Sequence, residues 1–218
     1  MTKEIMIVGA GGFGREVAWT LERINEDNGS PVWNILGFAD DAPDKANGSL
    51  EGYPLLGGAE QASHDHPGAA VFIAIGDNAI REQIFGRMRG HDFPALVDPS
   101  ADVAPTAELH QGAYIGPQAV VSVGAEIGRF AVVNARAGIG HDTKVGDFAQ
   151  ICPGATLSGH TTIGDHAFVA SNASTAPGVT VGDRAKVAAG MPVYGDLAAD
   201  ATLSPFGIFR QGRESFLA

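Results

Sequence analysis

The sequence predicts two units in series: a small α/β domain on a parallel sheet, then a three-sided parallel β-helix. Three observations predict it. Aliphatic residues recur every six positions, with no insertion, from Val97 to Val193. The chain ahead of them reads as strand, glycine turn and helix. Glycine is abundant, 30 of 218 residues, while aromatics are only 7%, so the interior must be packed from small aliphatic side chains. With 44% hydrophobic and 18% charged residues, the chain has enough apolar material for a real core.

The first half follows the rules of an open α/β sheet. Ile5-Met6-Ile7-Val8 is short and continuously apolar, as a strand buried on both faces is. It runs into Gly9-Ala10-Gly11-Gly12-Phe13-Gly14, a G-x-G-x-x-G, and helical spacing follows from Arg15 to Ile24. Unpaired amides at such a helix start point at an anion, and glycine lets a phosphate approach. A second strand, Trp33 to Ala39, ends in Asp40-Asp41. A third, Val71 to Ile75, ends in Gly76-Asp77-Asn78 before a helix carrying Arg81. Polar residues therefore arrive at the carboxyl ends of all three strands, where ligands of open α/β sheets bind. About ninety residues hold only half of a dinucleotide domain. That leaves room for one nucleotide, or for a sugar without one, and argues against a redox cofactor.

The second half follows a six-residue rule. Of the seventeen positions from Val97 to Val193 taken in steps of six, sixteen are Val, Ile or Leu, and the exception is Thr175. Two residues before each, thirteen of seventeen are alanine; the others are Thr143, Thr161, Val179 and Met191. A chain that turns a corner every six residues makes a triangular coil of eighteen. The aliphatic residue then points inward and the small residue fits where the wall bends. Glycine at Gly116, Gly128, Gly140, Gly146, Gly164 and Gly182 is expected to give the corners their backbone freedom. Successive coils pair about 4.8 Å apart, so each residue faces the one eighteen positions on. Between five and six coils are expected. A scaffold or ice-binding-like prism would show flat threonine ladders, and the outward positions vary instead.

The expected divisions are 1–92, 93–199 and a tail, 200–218, that caps the prism or packs on a neighbour. A net charge of −11 lacks the basic face that nucleic-acid or anionic-membrane binding needs. The single cysteine, Cys152, excludes an internal disulfide or a cysteine-based zinc site. The absence of an 18-residue apolar run or a signal-type start leads to the expectation of a cytoplasmic chain without membrane insertion.

Taken together, Gly-x-Gly-Gly, Gly-Phe-x-Asp-Asp and Ala-Ile-Gly-Asp-Asn-x-x-Arg leading into hexads resemble the bacterial sugar acetyltransferases of polysaccharide and glycan biosynthesis. The resemblance runs from Ile5 to about Pro192. It implies a Rossmann-like domain, a left-handed β-helix, acetyl-CoA as co-substrate and a homotrimer with active sites between subunits. The implied acceptor is the amine of a nucleotide-linked amino sugar, with a sugar or sialic acid hydroxyl as the alternative. It also implies that Gly11, Gly12 and Phe13 lie against the nucleotide sugar and that Asp40, Asp41 and Gly76 line the same pocket. Asp77, Asn78 and Arg81 join that set from their place after the third strand. Many relatives carry histidine where this chain has Phe13, which can stack but cannot donate. Gln150, Ser171, Ala189 and Gly190 are the positions implied for coenzyme A, with Arg184 or Lys186 near its phosphates.

Acetyl transfer needs a base, a donor for the developing oxyanion, and a wall that positions both substrates. His64 and His66 fall in what reads as a polar, proline-flanked loop, and His91 and His110 have no acidic neighbour on a corner. His141 follows Ile139-Gly140, which puts it on a corner facing outward, and Asp142 is next to it. A carboxylate there fixes the tautomer and raises basicity. The family places its general base at this position, with the acidic neighbour in support. The eighteen-residue step sets Gly159 against His141, making its amide a candidate oxyanion donor. The same step sets His160 against Asp142, either as the rival base or as a partner that ties up the carboxylate. A reading of both as ordinary surface histidines stays open, and no metal is expected.

Overall fold

The computed structural model describes residues 2–42 and 48–210. It divides into two compact units, Met1–Pro99 and Ser100–Ala218.

In the first unit, β1 (Lys3–Val8) is the middle strand of a three-stranded parallel sheet, flanked by β2 (Trp33–Ala39) and β5 (Ala70–Ile73). Ile5, Met6 and Ile7 are fully buried, as a continuously apolar central strand requires. Helix α1 (Gly12–Asp27) joins β1 to β2, and a short antiparallel pair, β3 (Ser49–Leu50) with β4 (Tyr53–Pro54), follows β2. Helix α1 turns Val17, Ala18 and Leu21 inward, the i, i+1, i+4 stripe of a helix laid on a sheet. Helix α2 (Ala59–Asp65) precedes β5, and α3 (Asn78–Arg87) follows it. The polar loop expected around His64 is thus helix as far as Asp65, with His66 as its C-cap. The Asp41 carboxylate accepts from the Ala59 amide at 2.9 Å and secures the helix start from another part of the chain. Sequence spacing alone could not show that.

The second unit is a β-solenoid. Two-residue strands recur every six positions from β7 (Asp102–Val103) to β22 (Pro192–Val193) and stack into three parallel sheets. The register is eighteen throughout: Val121 pairs with Ile139, Ile139 with Leu157, Ile127 with Val145. The inward aliphatic residues and the alanines two positions ahead form the core, with Ala113, Ile115, Ile127, Ala137, Ile151, Val169 and Val187 at 2% exposure or less.

The corners work differently from the expectation. The left-handed residue falls on one position of every turn: 112, 118, 124 and so on by sixes to 190. Only five of these are glycine; the rest include Phe130, Asp142, Phe148, His160 and His166, with φ between 55° and 59°. Gly128, Gly140 and Gly164 are not at positive φ. A Cβ on Gly140 would lie 2.6 Å from the Gly159 nitrogen, and one on Gly128 would lie 2.6 Å from the Gly146 carbonyl carbon. Close approach of successive coils therefore requires these glycines, rather than torsional freedom.

At the far end, β23 (Ala201–Ser204) pairs in parallel with β21 (Lys186–Val187) and folds back antiparallel onto β24 (Gly207–Arg210). The tail to residue 210 extends one face of the solenoid as a hairpin. The remainder of the predicted tail, 211–218, lies outside the described residues.

Candidate active site

His141 and Asp142 occupy one corner of the solenoid, each about half exposed. Asp142 holds a left-handed backbone, φ 55°, which brings its side chain back onto the preceding residue. His141 Nδ1 and Asp142 Oδ2 are 2.9 Å apart. That hydrogen bond, with the neighbouring His160 in support, holds the Asp142 carboxyl below its ordinary value of 3.8 against a smaller opposing effect of desolvation. An ionised carboxylate can only accept, so Nδ1 carries the hydrogen and, in the neutral ring, Nε2 presents a lone pair.

Two glycines make room for the pair. A Cβ on Gly124, one coil earlier, would lie 2.7 Å from Asp142 Oδ1. A Cβ on Gly159, one coil later, would lie 2.5 Å from His141 Nε2 and 2.6 Å from Cε1. The imidazole therefore lies over a bare backbone, as the eighteen-residue step predicts. The Gly159 amide makes no hydrogen bond among the described residues, so the glycine that the imidazole overlies carries an unused donor. His160 stands edge-on to His141, with ring centroids 4.9 Å apart and 89° between planes, and its Nε2 is 3.9 Å from the same Asp142 oxygen. Asp142 is committed to His141 at the shorter distance, which favours His160 as its second partner over His160 as base.

The coenzyme A candidates sit elsewhere on the coil. Ser171 and Ala189, eighteen apart, and Gly190 lie on the next corner round, where the Gly190 amide donates to Ser171 O at 2.9 Å. Gln150 lies at the start of β15 (Gln150–Ile151), and its Oε1 is buried without a hydrogen-bond partner. A single coil thus separates His141 from Ser171, Ala189 and Gly190 by one whole face. Arg184 is engaged by Asp200 through two contacts, at 2.7 and 3.0 Å, and so is not a free phosphate ligand; Lys186 is exposed.

In the first unit the glycine turn is open where a ligand needs it. A Cβ on Gly11 or Gly12 would meet nothing within 4 Å, and Gly11 caps α1 with no side-chain bond. Phe13 is half-buried on the first turn. Gly76 is similarly open. The acids at the strand ends hold the frame of the loops. Asp40 accepts from the Ala10 amide at 2.8 Å and from Ala42 at 2.9 Å, fastening the glycine turn. Asp41 caps α2 and pairs with Arg87 at 2.7 Å, and these bonds hold its carboxyl below the ordinary value. Asp77 caps α3 through the amides of Ala79 and Ile80, both at 3.0 Å.

Arg81 differs most from its expected place at the ligand. It is 1% exposed, donates to Ile75 O at 2.7 Å and to Asn78 Oδ1 at 3.0 Å, and burial lowers its pKa to about 10. It braces the Ile75–Asn78 loop from below. A cavity of about 480 Å³ also flanks α1, lined by Gly12, Arg15, Trp19 and three glutamates, Glu16, Glu22 and Glu51. Arg15 is paired with Glu51 at 2.5 Å, so the lining favours no anion.

His110, which lacks an acidic sequence neighbour, meets Glu126 at 3.2 Å across the coils. The eighteen-residue columns set Glu126 against Glu108, two residues before His110, and set Gly124 beneath Asp142; neighbours along the chain reveal neither. Among the described residues, no helix is long and apolar enough to cross a membrane.

Residues 4–88 match the PglD N-terminal domain family, and residues 160–194 match the hexapeptide repeat of succinyl-transferase. No curated protein matches the chain. Among solved structures it is similar to the acetyltransferase domain of PglB from Neisseria gonorrhoeae FA1090 in complex with acetyl coenzyme A. The identity is 29%, the TM-score 0.86, and the match covers 96% of this chain and 100% of that one. It is also similar to a variant of perosamine N-acetyltransferase from Caulobacter crescentus in complex with CoA and GDP-perosamine. Here the identity is 26% and the TM-score 0.85, over 98% and 99% of the two chains. WeeI from Acinetobacter baumannii AYE shares the fold, at 22% identity and TM-score 0.67 over 95% and 99%.

Proposed function

We propose, from its similarity to sugar acetyltransferases over nearly the whole chain, that this chain is an acetyl-CoA-dependent enzyme that acetylates the amine of a nucleotide-linked amino sugar. The observation that carries the reading is the bare Gly159 amide beside His141 Nε2, with Nδ1 held by Asp142. The amine attacks the thioester carbonyl while Nε2 takes its proton. The carbonyl oxygen, now an oxyanion, receives the Gly159 N–H. Collapse expels the thiolate, which takes the proton back from the imidazolium, leaving an amide and free CoA. Asp142 keeps the imidazole in the required tautomer and stabilises its charged form.

The open glycine turn at Gly11 and Gly12, at the start of α1, receives the nucleotide's phosphates. Phe13, Gly76 and Asn78 surround it, while Asp40, Asp41, Asp77 and Arg81 keep the loops in place. Gln150, Ser171, Ala189 and Gly190 take coenzyme A. The family's homotrimer suits the separation of His141 from that set. A thioester held on one subunit's Ser171 corner would reach the His141 corner of the next, and cyclic packing of three flat faces provides that meeting.

The test is CoA-thiol release from acetyl-CoA with UDP- and GDP-linked 4-amino sugars, run beside the corresponding hydroxyl sugars. Release with the amines supports the reading. Release with hydroxyls alone would replace it by O-acetylation, and release with neither would sink both. His141→Ala is expected to lower kcat by roughly 10²–10⁴ with the fold intact.

A further inference from the structure

The polar exceptions to the hexad rule meet at one place. Thr143 and Thr161 stand where alanine is usual, and Thr175 is the one polar residue in the inward aliphatic column. All three are buried, at 0%, 0% and 6% exposure. They converge beneath the His141–Gly159 corner, around Ser158. Thr143 Oγ1 donates to Ser158 O at 3.0 Å. The Ser158 amide donates to Thr175 Oγ1 at 3.0 Å, and Ser158 Oγ to Thr175 O at 2.6 Å. Thr161 Oγ1 and Thr175 Oγ1 are 3.0 Å apart.

The consequence is a local break in the ladder. At the equivalent position of other coils the amide bonds a backbone carbonyl on the next: Ser122 to Ile139 O at 3.0 Å, Gly140 to Leu157 O at 2.8 Å, Ala176 to Val193 O at 2.8 Å. At Ser158 a threonine hydroxyl takes that bond instead. Every other coil-to-coil pair of strands between β7 and β22 is in register over two residues. The pair of β16 (Thr156–Leu157) and β19 (Ser174–Thr175) keeps only Thr156 with Ser174. The one defect in the wall adjoins the Ser158–Gly159 peptide, whose N–H is the donor assigned above.

We propose that this buried threonine cluster, through Thr143 on the Ser158 carbonyl, is a positioning device that aims and polarises the Gly159 N–H. Thr143 acts through the peptide and does not touch substrate. A hydrogen bond accepted by a peptide's carbonyl strengthens its own N–H as a donor. Fixing Ser158 at its amide, carbonyl and hydroxyl removes the freedom of the plane to tilt. The gain is expressed in the transition state, when the oxygen becomes charged. A packing role alone would not call for threonine, because alanine fills this position in thirteen of seventeen hexads.

The inference rests on the acetyltransferase reading, and its test separates the two. Thr143→Ala and Thr143→Ser are compared with the wild-type full chain for kcat and KM for acetyl-CoA, for melting temperature, and for the Gly159 amide resonance. Thr143→Ala should keep its melting temperature and KM, lose roughly 10–10² in kcat, and shift the Gly159 amide; Thr143→Ser should restore both signals. Wild-type kcat with an unmoved amide resonance in Thr143→Ala would overturn the proposal. So would a fall in melting temperature and a rise in KM that account for the lost rate. A wild-type protein inert toward every acceptor would defeat the acetyltransferase reading, while the amide resonance would still report whether Thr143 governs that peptide.

Discussion

At the scale of single residues, the candidate site joins two polar side chains to a missing one. Asp142 and His160 both adopt left-handed φ values, 55° and 59°, a conformation most residues avoid. The repeat imposes it on every corner, so the unfavourable torsion belongs to the fold and the site makes use of it. Gly159 matters for what it lacks. Its absent Cβ is the space that the His141 ring occupies, 2.5 Å from Nε2. In Gly159→Ala the atom displaced is the end of a side chain that can rotate away. Melting temperature should therefore hardly change while kcat falls by roughly 10²-fold from the misplaced ring. Steady-state kinetics alongside a thermal melt would show this, and unchanged kcat would contradict the geometry. His141, Asp142 and Gly159 were legible from the hexad phase plus the step of eighteen. The threonine cluster was visible only as exceptions to the repeat, because no sequence rule says that three exceptions share one interior corner.

At the scale of elements, the solenoid depends on how closely one coil lies on the next. The glycine after the inward aliphatic residue is legible from the sequence, but its reason is not. A Cβ on Gly128 would meet backbone on every side, the Gly146 carbonyl carbon at 2.6 Å and the Asp147 nitrogen at 2.7 Å. No rotamer change relieves backbone contacts. Gly128→Ala should therefore destabilise the second unit by about 1–3 kcal/mol, seen as a lower melting temperature. An unaltered melt would mean that the coils part more easily than their spacing suggests. The α/β unit shows a comparable division of labour. Its strand ends were read as a ligand-bearing edge, and there Asp40, Asp41 and Asp77 each hold at least one backbone amide, with the second Asp41 oxygen on Arg87. Residue type at a strand's carboxyl end marks the site. Which groups face a ligand depends on where the neighbouring N–H groups point.

For the whole molecule, the decisive feature is the distribution of roles around the prism. The proposed base lies on one corner and most of the proposed coenzyme A positions on a neighbouring one, so in this reading a complete site needs two chains. The proposed homotrimer predicts a particle of three times 22.4 kDa in sedimentation at micromolar protein. A monomer that nevertheless turned over at full rate on dilution would exclude shared sites.

What the sequence determined by itself is the period and everything that follows from it: strand positions, inward faces, the eighteen-residue register, and the corner on which His141 stands. Those are local and translational properties, set by one residue type repeated at one spacing. The tertiary structure alone decided which side chains lean across coils. It put the imidazole over Gly159, the Asp142 oxygen over Gly124, and three buried hydroxyls around Ser158. Such contacts depend on rotamers and on a few tenths of an ångström between neighbouring coils, and those distances exist only once the chain has wound onto itself.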